Sequence, residues 1–189
     1  MQANKSSTHS VTSAKKFSLT APMVLRVLLG VVILTIAGQV EIPFFPVPMT
    51  LQTLAVFALA MCFRKGEGLA SVILYAVIGT AGAPIFAHFE GGVDVLFGTK
   101  GGYIVGFVLA AWAWTYFAAK GWGKSLLKTL AAGLMGEVLI FACGLLVLTA
   151  MFGFGFVVKV GLVPFLASEA AKWILGSVGI YLFHKRQAK

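Results

Sequence analysis

Apolar residues dominate this chain in six long runs, at residues 23–40, 48–63, 68–86, 102–119, 131–152 and 164–183. None shows the strict alternation of a half-buried strand, and most are as long as a helix crossing a bilayer needs to be. Backbone groups in lipid have no water to bond, so apolar segments of this length predict helices that satisfy themselves. The pattern predicts an all-α integral membrane protein with six transmembrane helices. Pro43, Pro46 and Pro48 keep the chain extended before the second run, so that helix starts no earlier than Met49. Arg64 to Gly68 reads as a tight charged turn, Gly121 to Lys124 as another, and Gly153-Phe154-Gly155 closes the fifth run.

The polar ends complete the division. Residues 1–22 read as a disordered cytoplasmic tail, 23–184 as one membrane domain and 185–189 as a second cytoplasmic tail. A basic stretch before an apolar run is also the layout of a signal peptide. The first run, however, is of spanning length and the rest of the chain continues in the same manner, so it is read as a span.

Composition strengthens this reading. The chain of 189 residues is 59% hydrophobic, a content no soluble domain of this size requires. Its mean hydropathy is +0.95. Charged residues make up only 11%, yet the net charge is +9. The basic residues lie between the runs, which points to lipid headgroups and topology and not to nucleic acid. Twelve of the fifteen, among them Lys15, Lys16, Arg26, Arg64, Lys65, Lys120, Lys124, Lys128, Lys185 and Arg186, fall on one side if the N-terminus is cytoplasmic. Lys100 and Lys159 fall on the other. The positive-inside rule then predicts a multi-pass protein of the cell (inner or plasma) membrane with both termini cytoplasmic.

Several functions are disfavoured. There is no GxxxxGK[ST] phosphate loop, so the chain has no ATPase site of that kind. No Ser/His/Asp set is evident, and His9, His88 and His184 lack metal-ligand spacing. The expectation is a protein that is not an enzyme and carries no metal or cofactor. Cys62 and Cys143 lie inside apolar runs and read as core thiols. No internal repeat supports an inverted-repeat transporter.

The candidate chemistry is concentrated in two places. Glu169 and Lys172 lie three residues apart in the last run, on one helix face at membrane depth. Opposite charges there are costly unless they face a cavity or each other. The connection at residues 82–103 carries the pairs Gly91-Gly92 and Gly101-Gly102, the apolar centre Val95-Leu96-Phe97 and the charges Glu90, Asp94 and Lys100. It reads as an external lid, with Phe86, Phe89, Phe97 and Tyr103 available as aromatic walls. Gln52 and Thr53 reach either the site or a neighbouring helix, and so does Glu137, with a structural role favoured for the last. Trp112, Trp114, Tyr116, Trp122 and Tyr181 read as interface anchors, and Gly30, Ala37 and Gly38 as a close helix contact.

These stretches resemble a known family. IPFFPVPMTLQTLAVF (42–57), GAP (82–84), EGG (90–92), LFGTKGGYIVGFVLA (96–110) and PFLASEAAK (164–172) are similar, in order, to the BioY family. That family comprises the biotin-specific substrate-binding (S) components of energy-coupling-factor (ECF) vitamin transporters. The resemblance implies an S-component fold and biotin binding from the outside. It also implies partnership with a transmembrane T component and two ATPases, or action alone. The family usually has Gly-Asp where Ser168-Glu169 stands here. Biotin's ureido N–H groups need an acceptor, which Glu169 offers, its ureido oxygen needs a donor, which Lys172 offers, and its carboxylate needs a cation, Lys100 at the mouth or Lys172 instead. Glu90, Gly91, Gly92, Phe89, Phe97, Gly101, Gly102 and Tyr103 complete the expected contacts. The residues leave two other readings open: a subunit for another carboxylate-bearing vitamin, or a non-transport membrane protein in which Glu169 and Lys172 form a structural ion pair.

Overall fold

The computed structural model describes residues 20–64 and 66–187. The chain is a bundle of helices: α1 (Ala21–Gln39), α2 (Gln52–Cys62), α3 (Glu67–Thr80), α4 (Val93–Phe97), α5 (Gly101–Ala119), α6 (Leu126–Phe152), α7 (Phe154–Val157) and α8 (Val163–Gln187). A π-helical turn, Val158–Leu162, joins α7 to α8. Two short antiparallel strands, β1 (Glu41–Ile42) and β2 (Met49–Thr50), pair Glu41 with Thr50 and Ile42 with Met49.

Among the described residues, four helical stretches are long and apolar enough to cross a membrane: α1, α5, α6 and the continuous run from α7 through α8. The second and third runs form shorter helices of 11 and 14 residues. The prolines shorten α2: the chain from Pro43 to Pro48 is spent on the β1–β2 hairpin, and the helix begins at Gln52. The third run was expected to stay helical to residue 86. It stops at Thr80, because Gly82 adopts φ 111° and turns the chain out. The expected tail of residues 1–22 lies outside the described residues up to 19. Ala21 and Pro22 already belong to α1, where proline suits a first turn. Residues 185–187, expected as tail, are the last turn of α8.

The core forms around α5, which packs against α6, α2 and α3. Trp114 on α5 is fully buried and is not an interface anchor. Its indole N–H donates to Ala132 O at 2.7 Å, and its ring lies on Gly136 and beside Phe57. A buried indole needs such an acceptor. Trp112 and Tyr116 on the same helix are exposed, as the interface reading requires. The small-residue face of α1 is also confirmed: Gly30 receives Ser71 of α3, and Gly38 receives Gln52 of α2.

The bundle has two chemically distinct ends. At one, Arg26 reaches both carboxylate oxygens of Glu67 at 2.7 Å, joining the start of α1 to the start of α3. His184 near the end of α8 lies 2.9 Å from Met61 O at the end of α2. At the other end stand the hairpin and the connection that carries α4.

Candidate functional site

The site is built where the hairpin, α2, α5 and α8 converge. Glu169 and Lys172 lie on one face of α8, as the spacing predicts, and contact each other. Their side chains are only 9% and 12% exposed. Each has a further partner. The hydroxyl of Thr53 on α2 donates to Glu169 Oε2 at 2.8 Å. The Lys172 ammonium donates to Thr50 O of β2 at 2.7 Å. The proline-rich hairpin thereby fixes the charged pair through its backbone, so the pair is a junction of three elements.

An internal cavity opens above Glu169, with an empty volume of about 600 Å³ including its mouth. Val47, Ile104, Phe107, Ile140, Phe141 and Phe165 supply apolar walls, and Phe86 and Tyr103 add aromatic ones. Its polar groups are few: Glu169, Thr53, Thr50, Gln52, Tyr75 and, at the rim, Lys100. A small number of polar groups in an apolar chamber of this size is the usual form of a small-molecule site. Gln52 is held by its own neighbours: its amide donates to Tyr75 OH at 2.6 Å, and Tyr75 OH donates to Ile85 O at 3.1 Å. The Tyr103 hydroxyl is different. It is buried and has no hydrogen-bond partner among the described residues. A buried hydroxyl without a partner is costly, so its position is suited to a bound acceptor.

The predicted residues divide into those that reach the cavity and those that do not. Glu169, Lys100, Tyr103 and Phe86 line it, as do Gln52 and Thr53. Lys172 backs Glu169 and is not part of the wall. Phe89 and Phe97 are 66% and 79% exposed and do not line the cavity. Glu90 lines an outer vestibule, with Phe44, Phe45, Asp94, Thr99 and Lys100. Gly91, Gly92, Gly101 and Gly102 line neither space. Of these four only Gly92 has a positive φ, 105°. Gly101 and Gly102 are the first turn of α5, and a Cβ there would strike Leu96 O and Cys143 O respectively. Close backbone packing explains that pair better than loop flexibility does.

The connection expected as a lid is folded. Ala87–Phe89 form a 3-10 turn, Val93–Phe97 form α4, Gly92 N–H bonds Gly79 O at 2.7 Å and the Thr99 hydroxyl bonds Pro46 O at 3.3 Å. Glu137 lies outside the cavity as well. Its buried Oε2 has no partner among the described residues, against the expected helix-to-helix bond. It faces a groove between α6 and α8 that shares Phe141 and Glu169 with the cavity. Sequence reasoning passed over Glu41, Tyr75 and the walls Phe107, Ile140 and Phe165. Apolar wall positions carry no local signal.

Comparison with known proteins follows the same geometry. The model of the BioY family matches residues 7–189. The biotin transporter BioY of Thermotoga maritima is 35% identical over 77% of this chain and 86% of its own length. The biotin transporter BioY2 of Lactococcus lactis subsp. cremoris is 30% identical over 88% and 89%. A crystal structure described as the S-component for biotin from an ECF-type ABC transporter superposes with a TM-score of 0.75. It shares 20% identity and covers 89% of this chain and 95% of its own, so the two have one fold.

Proposed function

The chain belongs to the BioY family, and from that premise we propose that it is a biotin-binding S component that serves biotin uptake. The observation that carries the reading is the cavity itself. It is apolar, walled by Phe86 and Tyr103, floored by one carboxylate and rimmed by one ammonium. Biotin presents complementary groups in the same order. Its ureido N–H groups are donors for Glu169, its ureido oxygen is an acceptor for the unpartnered Tyr103 hydroxyl, its thioether ring is apolar, and its valerate carboxylate is an anion for Lys100. Lys172 then holds the Glu169 carboxylate in place instead of touching the ligand.

The finer architecture belongs to the same proposal. All six apolar helices cross the membrane, α2 and α3 as short spans beside the hairpin and the capping connection. The end carrying Arg26, Arg64, Lys124 and Lys185 is cytoplasmic, as the positive-inside rule requires. The cavity therefore opens outward, beneath a cap that shields it from water once biotin is bound. A T component and two ATPases energise uptake. The membrane is the cell membrane.

Calorimetric titration of the detergent-purified protein with biotin and with other carboxylate-bearing vitamins tests the reading. Saturable binding of biotin in preference to the rest is the expected result. Preference for another vitamin would overturn the substrate, and no binding of any would leave Glu169–Lys172 as a structural pair.

A further inference from the structure

A second space lies on the far side of the cavity wall. It is the groove between α6 and α8, with an empty volume of about 650 Å³ including its mouth. Leu134, Val138 and Leu166 along it are each half exposed or more. Glu137 and Glu169 in the groove are buried, so the surface it offers is almost wholly apolar. Both helices belong to stretches long and apolar enough to cross a membrane, and the groove continues their exposed apolar faces. Acyl chains are what such a face meets in a bilayer.

Among the described residues, Phe141 and Glu169 alone line both the cavity and the groove. Glu169 is tied to Thr53 and Lys172. Phe141 is held by other rings. It meets Tyr103 of α5 edge-on, with centroids 6.3 Å apart, and Phe165 of α8 edge-on at 6.2 Å. Phe165 in turn meets Phe44 of the hairpin connection at 5.9 Å. Gly144, one turn beyond Phe141 in α6, leaves the space that the Tyr103 ring fills. Edge-to-face contacts of this kind are favoured by the ring quadrupoles. Four rings thus tie α5, α6, α8 and the hairpin together, and Phe141 is the ring that has cavity on one side and groove on the other.

We propose that Phe141 is a specificity-determining residue: its ring closes the cavity against the acyl chains of the α6–α8 groove and so reserves the chamber for the cargo. This rests on the reading of the cavity as the biotin site. The need for a partition follows from concentration. In a bilayer the acyl chain is the solvent, and an empty apolar chamber lacks dispersion contacts that a chain would supply. Mass action then fills the chamber even at weak affinity, and cargo binds only by displacing the occupant. Truncating Phe141 to alanine removes the ring from between the two spaces and joins them.

Reconstitution of the full-length protein in bilayers that contain a phospholipid with a diazirine on its acyl chain tests this. Photolysis and peptide mapping read where the chains lie. Wild type should be labelled at Leu166 and Trp173 of the groove, and not at Phe107 or Ile140, which line the cavity and are buried. Phe141→Ala should add label at Phe107 and Ile140, and saturating biotin should remove it. Biotin affinity of that variant, measured in detergents of one headgroup, should fall about tenfold from octyl to dodecyl chains, while wild type stays level. Phe141→Leu, which keeps more of the wall, should show the same changes to a smaller degree and serves if the alanine variant does not fold. Label at Phe107 or Ile140 in wild type, or none there in the folded variants, would overturn the partition. If wild type excludes the chains but binds no biotin, the biotin reading fails and the partition stands.

Discussion

The hydroxyl of Thr53 donates to Oε2 of Glu169 at 2.8 Å, joining residues 116 positions apart. Lys172 occupies the other oxygen of the same carboxylate. Glu169 thus enters the cavity wall already oriented, with lone pairs left for a donor in the cavity.

Removing either member of the pair should be severe. Glu169→Ala deletes the acceptor, and Lys172→Ala leaves a buried carboxylate with only Thr53. Each should weaken biotin binding by more than tenfold, or about 1.4 kcal/mol. Calorimetry on folded variants checks this, and binding within threefold of wild type in both would remove Glu169 from the site.

Tyr103→Phe should separate binding from folding. The hydroxyl has no partner among the described residues, so its loss should leave thermal stability unchanged or raise it. Biotin affinity should fall about tenfold through the lost hydrogen bond to the ureido oxygen. Unchanged affinity would show that the hydroxyl is unused.

Gly102→Val should act on packing. The first atom of the new side chain meets Cys143 O of α6, and overpacking of that kind costs about 1–3 kcal/mol. A lower melting temperature, with or without biotin, is expected. The glycine pair looks in sequence like a hinge of a mobile lid, and a valine there would then leave the fold intact.

Cap closure has its own signature. Amide exchange over residues 87–98 should slow when biotin is added. Equal exchange with and without saturating biotin would make the segment a plain connector.

Topology is tested by labelling single cysteines in whole cells, in a background with Cys62 and Cys143 replaced by alanine. A cysteine at Asp94 should react with an impermeant reagent, and one at Lys124 only after permeabilisation. Reaction at position 124 from outside would reverse the orientation.

Much of this was legible in the sequence, and the rest has physical reasons. Apolar runs mark helices because lipid leaves the backbone no other partner, and two charges three residues apart in one run mark a shared face. Thr53 and Gln52 were in view for the same reason, each being polar where polarity is costly, and Lys100 was in view as a charge of the external connection. Trp114 was misread because a tryptophan near a helix end suits both an interface and a core. Only the Ala132 carbonyl and Gly136, 18 and 22 residues away, decide between them. Phe107, Ile140 and Phe165 escaped notice because a wall residue looks like any other apolar residue until its neighbours are known.

The polar groups of the cavity come from distant stretches: Thr53, Tyr75, Lys100, Tyr103 and Glu169 meet only when α2, α3, α5 and α8 have docked. An unfolded or half-inserted chain has no such chamber, so a cargo that fits it binds the native state alone. By mass action the cargo then acts as a folding agent. At a concentration a thousand times its dissociation constant it adds about 4 kcal/mol to stability. The melting temperature of this protein is therefore a gauge of what it carries, and vitamins ranked by the melting-point rise they cause are ranked by fit.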